Sequence, residues 1–192
     1  MSRVLIIFAH PNQQSYNSSI LHKSIEGLSK RGHEIQIDDL YAQRFDPVMT
    51  EDELSQKHTP DGILQEQAKV TWADILLFIF PVWWWSPPAI LKGWLERVLC
   101  LNFAFRYDIK QNGYVGALQD RKAVIISTGS SNPSTYPVAW QTAAHMSFVG
   151  DILAVSGIPV VKQISLDSIH QYRDPSELDQ LLYDVYEFAR SL

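Results

Sequence analysis

The chain has 192 residues and a net charge of −5, with 46% apolar and 19% charged residues. Those values describe one globular domain, residues 1–192, long enough to bury a core without staples. They exclude a general basic field for nucleic acid or anionic lipid, and the single cysteine, Cys100, excludes an internal disulfide framework. Ile75 to Trp85 falls well short of the roughly 20 apolar residues that span a bilayer. Val4 to Ala9 is too short for the apolar region of a signal peptide, so a cytoplasmic location is expected.

Arg3 to Ala9 (RVLIIFA) is an unbroken apolar run, the pattern of a strand covered on both faces. A polar turn, His10 to Asn17, leads to a helix from Ser18 to Arg31, with Ile20, Leu21, Ile25 and Leu28 on one face and Gly32 as its stop. His33 to Asp38 alternates apolar and polar residues, as a half-covered strand at or near a sheet edge does. His22 and His33 read as surface residues. Leu40 to Gly62 is polar and broken by Pro47 and Pro60, long enough that a short helix or a function is expected within it. Ile63 to Trp72 reads as a helix leading to the central strand.

That strand, Ile75 to Phe80, is again wholly apolar and ends at Pro81, which has no N–H for a sheet ladder. Trp83, Trp84 and Trp85 follow. Ser86-Pro87-Pro88 then opens a helix with Pro88 at its first position, and Cys100 falls within that helix. Ile90, Leu91, Trp94, Leu95, Val98 and Leu99 form its apolar stripe. Asn102 to Gln119 reads as an irregular, ring-rich excursion. Lys122 to Ser127 is the fourth strand, followed by Thr128-Gly129-Ser130-Ser131-Asn132-Pro133-Ser134, a small hydroxylated turn that lets backbone N–H groups approach a ligand. Ala139 to Ser156 is mostly helical and Pro159 to Ser165 is the fifth strand. Asp174, Pro175 and Glu177 supply an N-cap, an N1 proline and an N3 carboxylate for a last helix to Leu192.

Five strands alternating with helices predict an α/β fold: a doubly wound five-stranded parallel sheet of order 2-1-3-4-5, with helices on both faces. Ligands of such sheets bind at the switch point between strands 1 and 3. Here that point is formed by His10–Asn17 and Pro81–Trp85, with Thr128–Ser134 beside it. The tryptophans read either as core or subunit contacts or as a flat wall for a planar ligand, and the convergence of three loops favours the wall.

Several chemistries are absent. There is no GxGxxG after the first strand, no Walker lysine loop, no G-x-S-x-G elbow, and no metal-ligand spacing among the six histidines. Rings, hydroxyls and small backbone donors with few charges suit a planar cofactor that brings its own chemistry.

His10-Pro11, Ser15-Tyr16-Asn17, Glu66-Gln67, Phe80-Pro81 through Gly93-Trp94, Phe103-Ala104-Phe105-Arg106-Tyr107 and Ser127-Thr128-Gly129 together resemble the NAD(P)H:quinone oxidoreductases of the flavodoxin-like fold. In length the chain looks more like their short bacterial members. The resemblance implies a homodimeric flavoprotein holding FAD, or FMN as in some short members, with active sites at the interface. It implies a ping-pong hydride transfer from NAD(P)H through the flavin to a quinone. His10, Ser15, Tyr16 and Asn17 would hold the flavin phosphates, and Gln67 would lie beside the ribityl or nucleotide part. Pro81, Val82, Trp83 and Trp84 would edge the isoalloxazine, Trp85 would also face substrate, and Thr128, Gly129 and Ser130 would bond the pyrimidine edge. Tyr107 of the partner subunit would gate the substrate. Tyr136 takes the family's tyrosine position with a one-residue adjustment, and His145, the candidate acid, lies several residues beyond the family's histidine position. Ser130 stands where a second glycine is usual. Two other readings are an ancillary flavin-binding subunit of a potassium-efflux system, with a membrane-transport partner, and a flavodoxin-type electron carrier. Carriers of that type tend to be strongly acidic around the flavin, which this chain is not.

Overall fold

The computed structural model describes residues 1–135, 147–170 and 173–192. Three strands with continuous buried apolar runs form the middle of the sheet: β1 (Arg3–Phe8), β3 (Ile75–Pro81) and β6 (Lys122–Thr128). The edges are β2 (Glu34–Asp39) and β7 (Val160–Leu166), and the order is β2-β1-β3-β6-β7, every pair parallel. With the extra hairpin discounted, this is the expected 2-1-3-4-5 arrangement.

The period of two along each strand sorts side chains into two layers. Val4, Ile6, Phe8, Leu77, Ile79, Val124 and Ile126 pack under α1 (Tyr16–Arg31) and the C-terminal helix. Leu5, Ile7, Leu76, Phe78, Phe80 and Ile125 pack under α3 (Asp61–Trp72), α4 (Ala89–Val98) and α5 (Ser147–Val155). Strands buried on both faces need the continuous apolar runs seen in the sequence.

α1 begins two residues earlier than its apolar pattern indicates. Ser15 is its N-cap, accepting from the Ser18 N–H, and Gly32 closes it at φ 82°. The C-terminal helix, α6 (Pro175–Ser191), has the expected Asp174 cap and Pro175 start. It packs so closely on α1 that a Cβ at Gly27 would lie 2.5 Å from the Tyr186 carbonyl oxygen.

The long segment after β2 contains one short helix, α2 (Glu51–Leu54), with a reciprocal capping box between Thr50 and Glu53. It is strapped to α4: buried Arg97 donates to Glu53 Oε1 at 2.7 Å and to the Asp46 carbonyl, and Pro47 sits against Gly93.

Four sequence expectations are corrected. Asn102–Gln119 is not irregular but carries an antiparallel hairpin, β4 (Phe105–Asp108) and β5 (Gly113–Gly116), whose turn closes on Asn112 at φ 48°. Pro88 is the N-cap of α4, not its first residue; its ψ of 146° is extended, and its carbonyl accepts from Leu91 and Lys92. Cys100 lies beyond α4, because Leu99 leaves the helical region at ψ 53°. His33 is buried, with Ser2 N–H donating to its Nδ1 at 3.1 Å.

Candidate active site

Loops at the carboxyl ends of β3, β6 and β7 meet around a cavity of about 670 Å³, bounded by Val82 to Trp85, Gly129 to Ser131, and Asp167, and the loop after β1 lies beside it, with the His10 ring next to Trp83. That volume lies in the range of small-molecule and cofactor sites.

The first loop is self-braced. Asn12 N–H donates to His10 Nδ1 at 3.0 Å, Ser18 Oγ donates to the Asn12 carbonyl, and Gln13 Nε2 reaches Asp39 at 2.7 Å. Burial holds the His10 imidazole below its ordinary value, so it is neutral near pH 7. Its ring lies 6.2 Å from that of Trp83. At the start of α1 the Ser18 N–H is taken by Ser15, through its side chain and its carbonyl.

The second loop is the least expected piece of backbone. Val82 N–H extends the ladder by donating to the Thr128 carbonyl at 2.8 Å. Trp83 and Ser86 then exchange both backbone hydrogen bonds, at 3.0 and 3.1 Å, across Trp84 and Trp85. Both central residues have positive φ, 50° and 56°. This is the geometry of a two-residue type I′ turn, where Asn-Gly is the favoured pair. Two bulky residues there store strain, and such strain gathers at functional sites. The turn stands Trp84 out at 89% exposure and sets its ring edge-on to Trp85.

The third loop is tied to both neighbours. Asn17 Nδ2 donates to Thr128 Oγ1 at 2.8 Å, Gly129 N–H to the Leu166 carbonyl at 2.9 Å, and Ile169 N–H to the Gly129 carbonyl at 2.8 Å. A Cβ at Gly129 would come to 3.0 Å from Asp167 Oδ1. Glycine here leaves room for a close approach of the Asp167 side chain rather than answering to its dihedrals.

The sequence-predicted residues separate into groups. Val82, Trp83, Trp84, Trp85, Gly129 and Ser130 line the cavity, and His10 stands against its wall. Pro81, Asn17 and Thr128 are buried behind it, and Ser15 caps α1. Tyr16 is turned away: its hydroxyl donates to the Leu178 carbonyl at 2.7 Å, and burial pushes the phenol up to about 12. Only its backbone N–H faces the loop. Gln67 sits on α3 with Nε2 on the Val98 carbonyl and the Cys100 thiol, at the far end of α4. Tyr107 is half exposed on the hairpin, donating to Asn112 Oδ1 at 2.5 Å. The hairpin is rooted beside Ser156 and Gly157, before β7, at the opposite end of the sheet. Within one protomer neither Gln67 nor Tyr107 lines the cavity. Tyr136 and His145 lie outside the described residues. Sequence reasoning missed Ser131 as a lining residue and all of Asp167, whose place depends on the register of β7 against β6.

Among the described residues no cluster of three or more His, Cys, Asp or Glu side chains is placed to hold a metal ion, and no helix is long and apolar enough to cross a membrane. The donor set does fit a flavin. Asn17 Oδ1 and Ser127 Oγ are buried without a protein partner beside the third loop, Gly129 leaves room at the backbone, and indoles form one wall.

A doubly wound parallel sheet of this strand order defines a flavodoxin-like protein, and the chain matches the family described as flavodoxin-like fold (Flavodoxin_2) over residues 2–187. It is 34% identical over 157 residues to the ribosyldihydronicotinamide dehydrogenase [quinone] of Rattus norvegicus, covering 71% of this chain and 67% of that one. It spans 54 to 67% of the length of the mammalian relatives it matches. The structure superimposes on a protein of Streptococcus mutans UA159 with TM-score 0.85 at 34% identity, covering 99% and 100% of the two chains. It superimposes on the NAD(P)H:quinone oxidoreductase of Methanothermobacter marburgensis with TM-score 0.86 at 29% identity, covering 98% of each. The chain belongs to the NAD(P)H:quinone oxidoreductase family of flavodoxin-like proteins.

Proposed function

We propose that the protein is a flavin-dependent NAD(P)H:quinone reductase working by ping-pong exchange. The observation that carries this reading is the meeting of a tryptophan wall and a glycine-containing donor loop around one cavity, with His10 of the first loop against the wall. N–H groups of the first turn of α1, with Ser15, hold the flavin phosphates without a lysine. Val82 to Trp85 would form a wall for the ring system, and backbone N–H groups of Ser130 and Ser131 would face its pyrimidine edge. His10, kept neutral, adds a hydrogen-bond partner near the phosphates without adding charge. FAD, or FMN in its place, supplies the two-electron hydride chemistry when bound. The indole wall then orients NAD(P)H and the quinone in turn and excludes water from the exchange.

Gln67 and Tyr107 point away from their own protomer's cavity, and both lie on the same flank, α3 and the hairpin. A homodimer brings that flank to the partner's cavity, placing Gln67 beside the nucleotide part and Tyr107 over the substrate. The test is fluorescence titration with FAD and with FMN, followed by anaerobic addition of NADH or NADPH and then a quinone. Saturable quenching, bleaching of the flavin band and its return on quinone addition are expected. Absence of quenching by either flavin overturns the reading.

A further inference from the structure

We propose that Asp167 is a positioning residue that sets the charge preference of the cavity: it favours a neutral, hydrogen-donating ring edge and disfavours the same ring once it carries negative charge. The proposal rests on the flavin reading above. Among the described lining residues Asp167 is the one ionisable side chain, set in a wall of indoles and small hydroxyls. Its backbone is held from several sides. The Leu166 carbonyl before it accepts from Gly129 N–H, and Ile169 N–H beyond it donates back to the Gly129 carbonyl. Ser168 N–H donates to the Ser131 carbonyl from a left-handed φ of 58°. Arg173 Nη1 donates to the Asp167 carbonyl at 2.6 Å, while its Nε is paired with Glu177 at 3.0 Å. That arrangement delivers the carboxylate to the surface of Gly129, where a single added methyl would touch Oδ1.

An ionised carboxylate only accepts hydrogen bonds. A ring edge laid along Gly129–Ser131 therefore meets it well through an imide N–H. Negative charge gained by that ring is opposed by the carboxylate at close range. Asp167 thus sharpens the difference between the oxidised and the reduced occupant, lowering the flavin's midpoint potential and speeding its reoxidation by the acceptor.

The experiment measures dissociation constants for oxidised and for anaerobically reduced flavin, and the midpoint potential by dye equilibration, in wild type, Asp167→Asn and Asp167→Glu. Asp167→Asn should change oxidised-flavin binding little and tighten reduced-flavin binding about tenfold, an upward shift of about 30 mV for a two-electron couple. Asp167→Glu keeps the charge and should keep the wild-type ratio. Asp167→Ser, which removes the same charge, serves if Asp167→Asn does not fold. An unchanged ratio in the charge-removing variant, with flavin still bound, overturns the role of Asp167 and leaves the flavin reading intact. A wild-type protein that binds neither flavin overturns both.

Discussion

At Asn17 the side-chain amide bridges the first and third loops, with Nδ2 on Thr128 and Oδ1 buried, the residue being only 4% exposed. It supports the cavity from behind as much as it could contact a phosphate. Asn17→Ala should therefore lower unfolding free energy by about 1–2 kcal/mol and flavin affinity by roughly tenfold. Urea denaturation and flavin titration read the two effects; a variant with both intact would remove Asn17 from the site. A second residue-scale prediction concerns Asp38, buried to 1% exposure beside Glu66 and Lys69. Burial, with a hydrogen bond to Glu66 next in size, raises its carboxyl to about 7. Between about pH 4, where an unfolded aspartate ionises, and about pH 7, the folded chain keeps a proton that the unfolded chain has lost. This group's contribution to stability therefore falls as pH rises through that window. Asp74 acts in the opposite sense: hydrogen bonds from Arg3 hold it at about 2, so its contribution is lost only in strong acid. Wild type should lose more melting temperature than Asp38→Asn between about pH 4.5 and about pH 8. Equal losses would show that Asp38 does not titrate in that window.

At the scale of elements, the Trp83–Ser86 turn trades stability for a wall. Trp84→Asn puts a residue suited to positive φ at the first central position and should stabilise the flavin-free protein by about 1 kcal/mol. The same change removes a ring from the cavity, so flavin affinity should fall; thermal melts with and without flavin would cross over. An unchanged flavin-free melt would mean the turn stores no strain at that position. The hairpin β4–β5 makes the complementary case. Tyr107→Ala should leave flavin binding nearly unchanged and alter the Michaelis constant for quinone or nicotinamide, and flavin loss in that variant would place Tyr107 with the anchors. These two elements also mark where the sequence stops being legible. The three central strands and the Gly32 stop of α1 follow from local pattern, since an unbroken apolar run or a glycine closing an apolar helical face has few other outcomes. The hairpin hid because its short strands stand outside the sheet and do not alternate cleanly, although Asn112-Gly113 was a usable turn signal. The tryptophan turn runs against local preference and is fixed by its ends, with Val82 on Thr128 and Ser86 on Trp83. Asp167 and buried His33 depend on strand register and on Ser2, contacts that no window of sequence contains.

For the whole molecule, the exposed rings are the dominant surface feature. Trp84, Ile109 and Tyr114 stand largely in solvent, and Tyr107 is half exposed. Exposed apolar groups of this kind mark interaction surfaces, and the proposed two-fold pairing would cover each protomer's hairpin and tryptophan turn with the other's. Light scattering of the flavin-loaded protein at micromolar concentration should give the mass of a dimer. A monomer there would count against both the dimer and the contribution of Tyr107 to a shared site.

The strand order also has a consequence in time. β3 lies between β1 and β6, yet its second neighbour is made only after α4 and the whole hairpin have been synthesised. At ribosomal rates of about 5–20 residues per second, that delay is on the order of several seconds. Throughout it, the sequence ILLFIFP presents one unpaired edge with neither charge nor glycine to blunt it. The central strand that gives the finished protein its stability is thus its most association-prone segment while the chain is still being made.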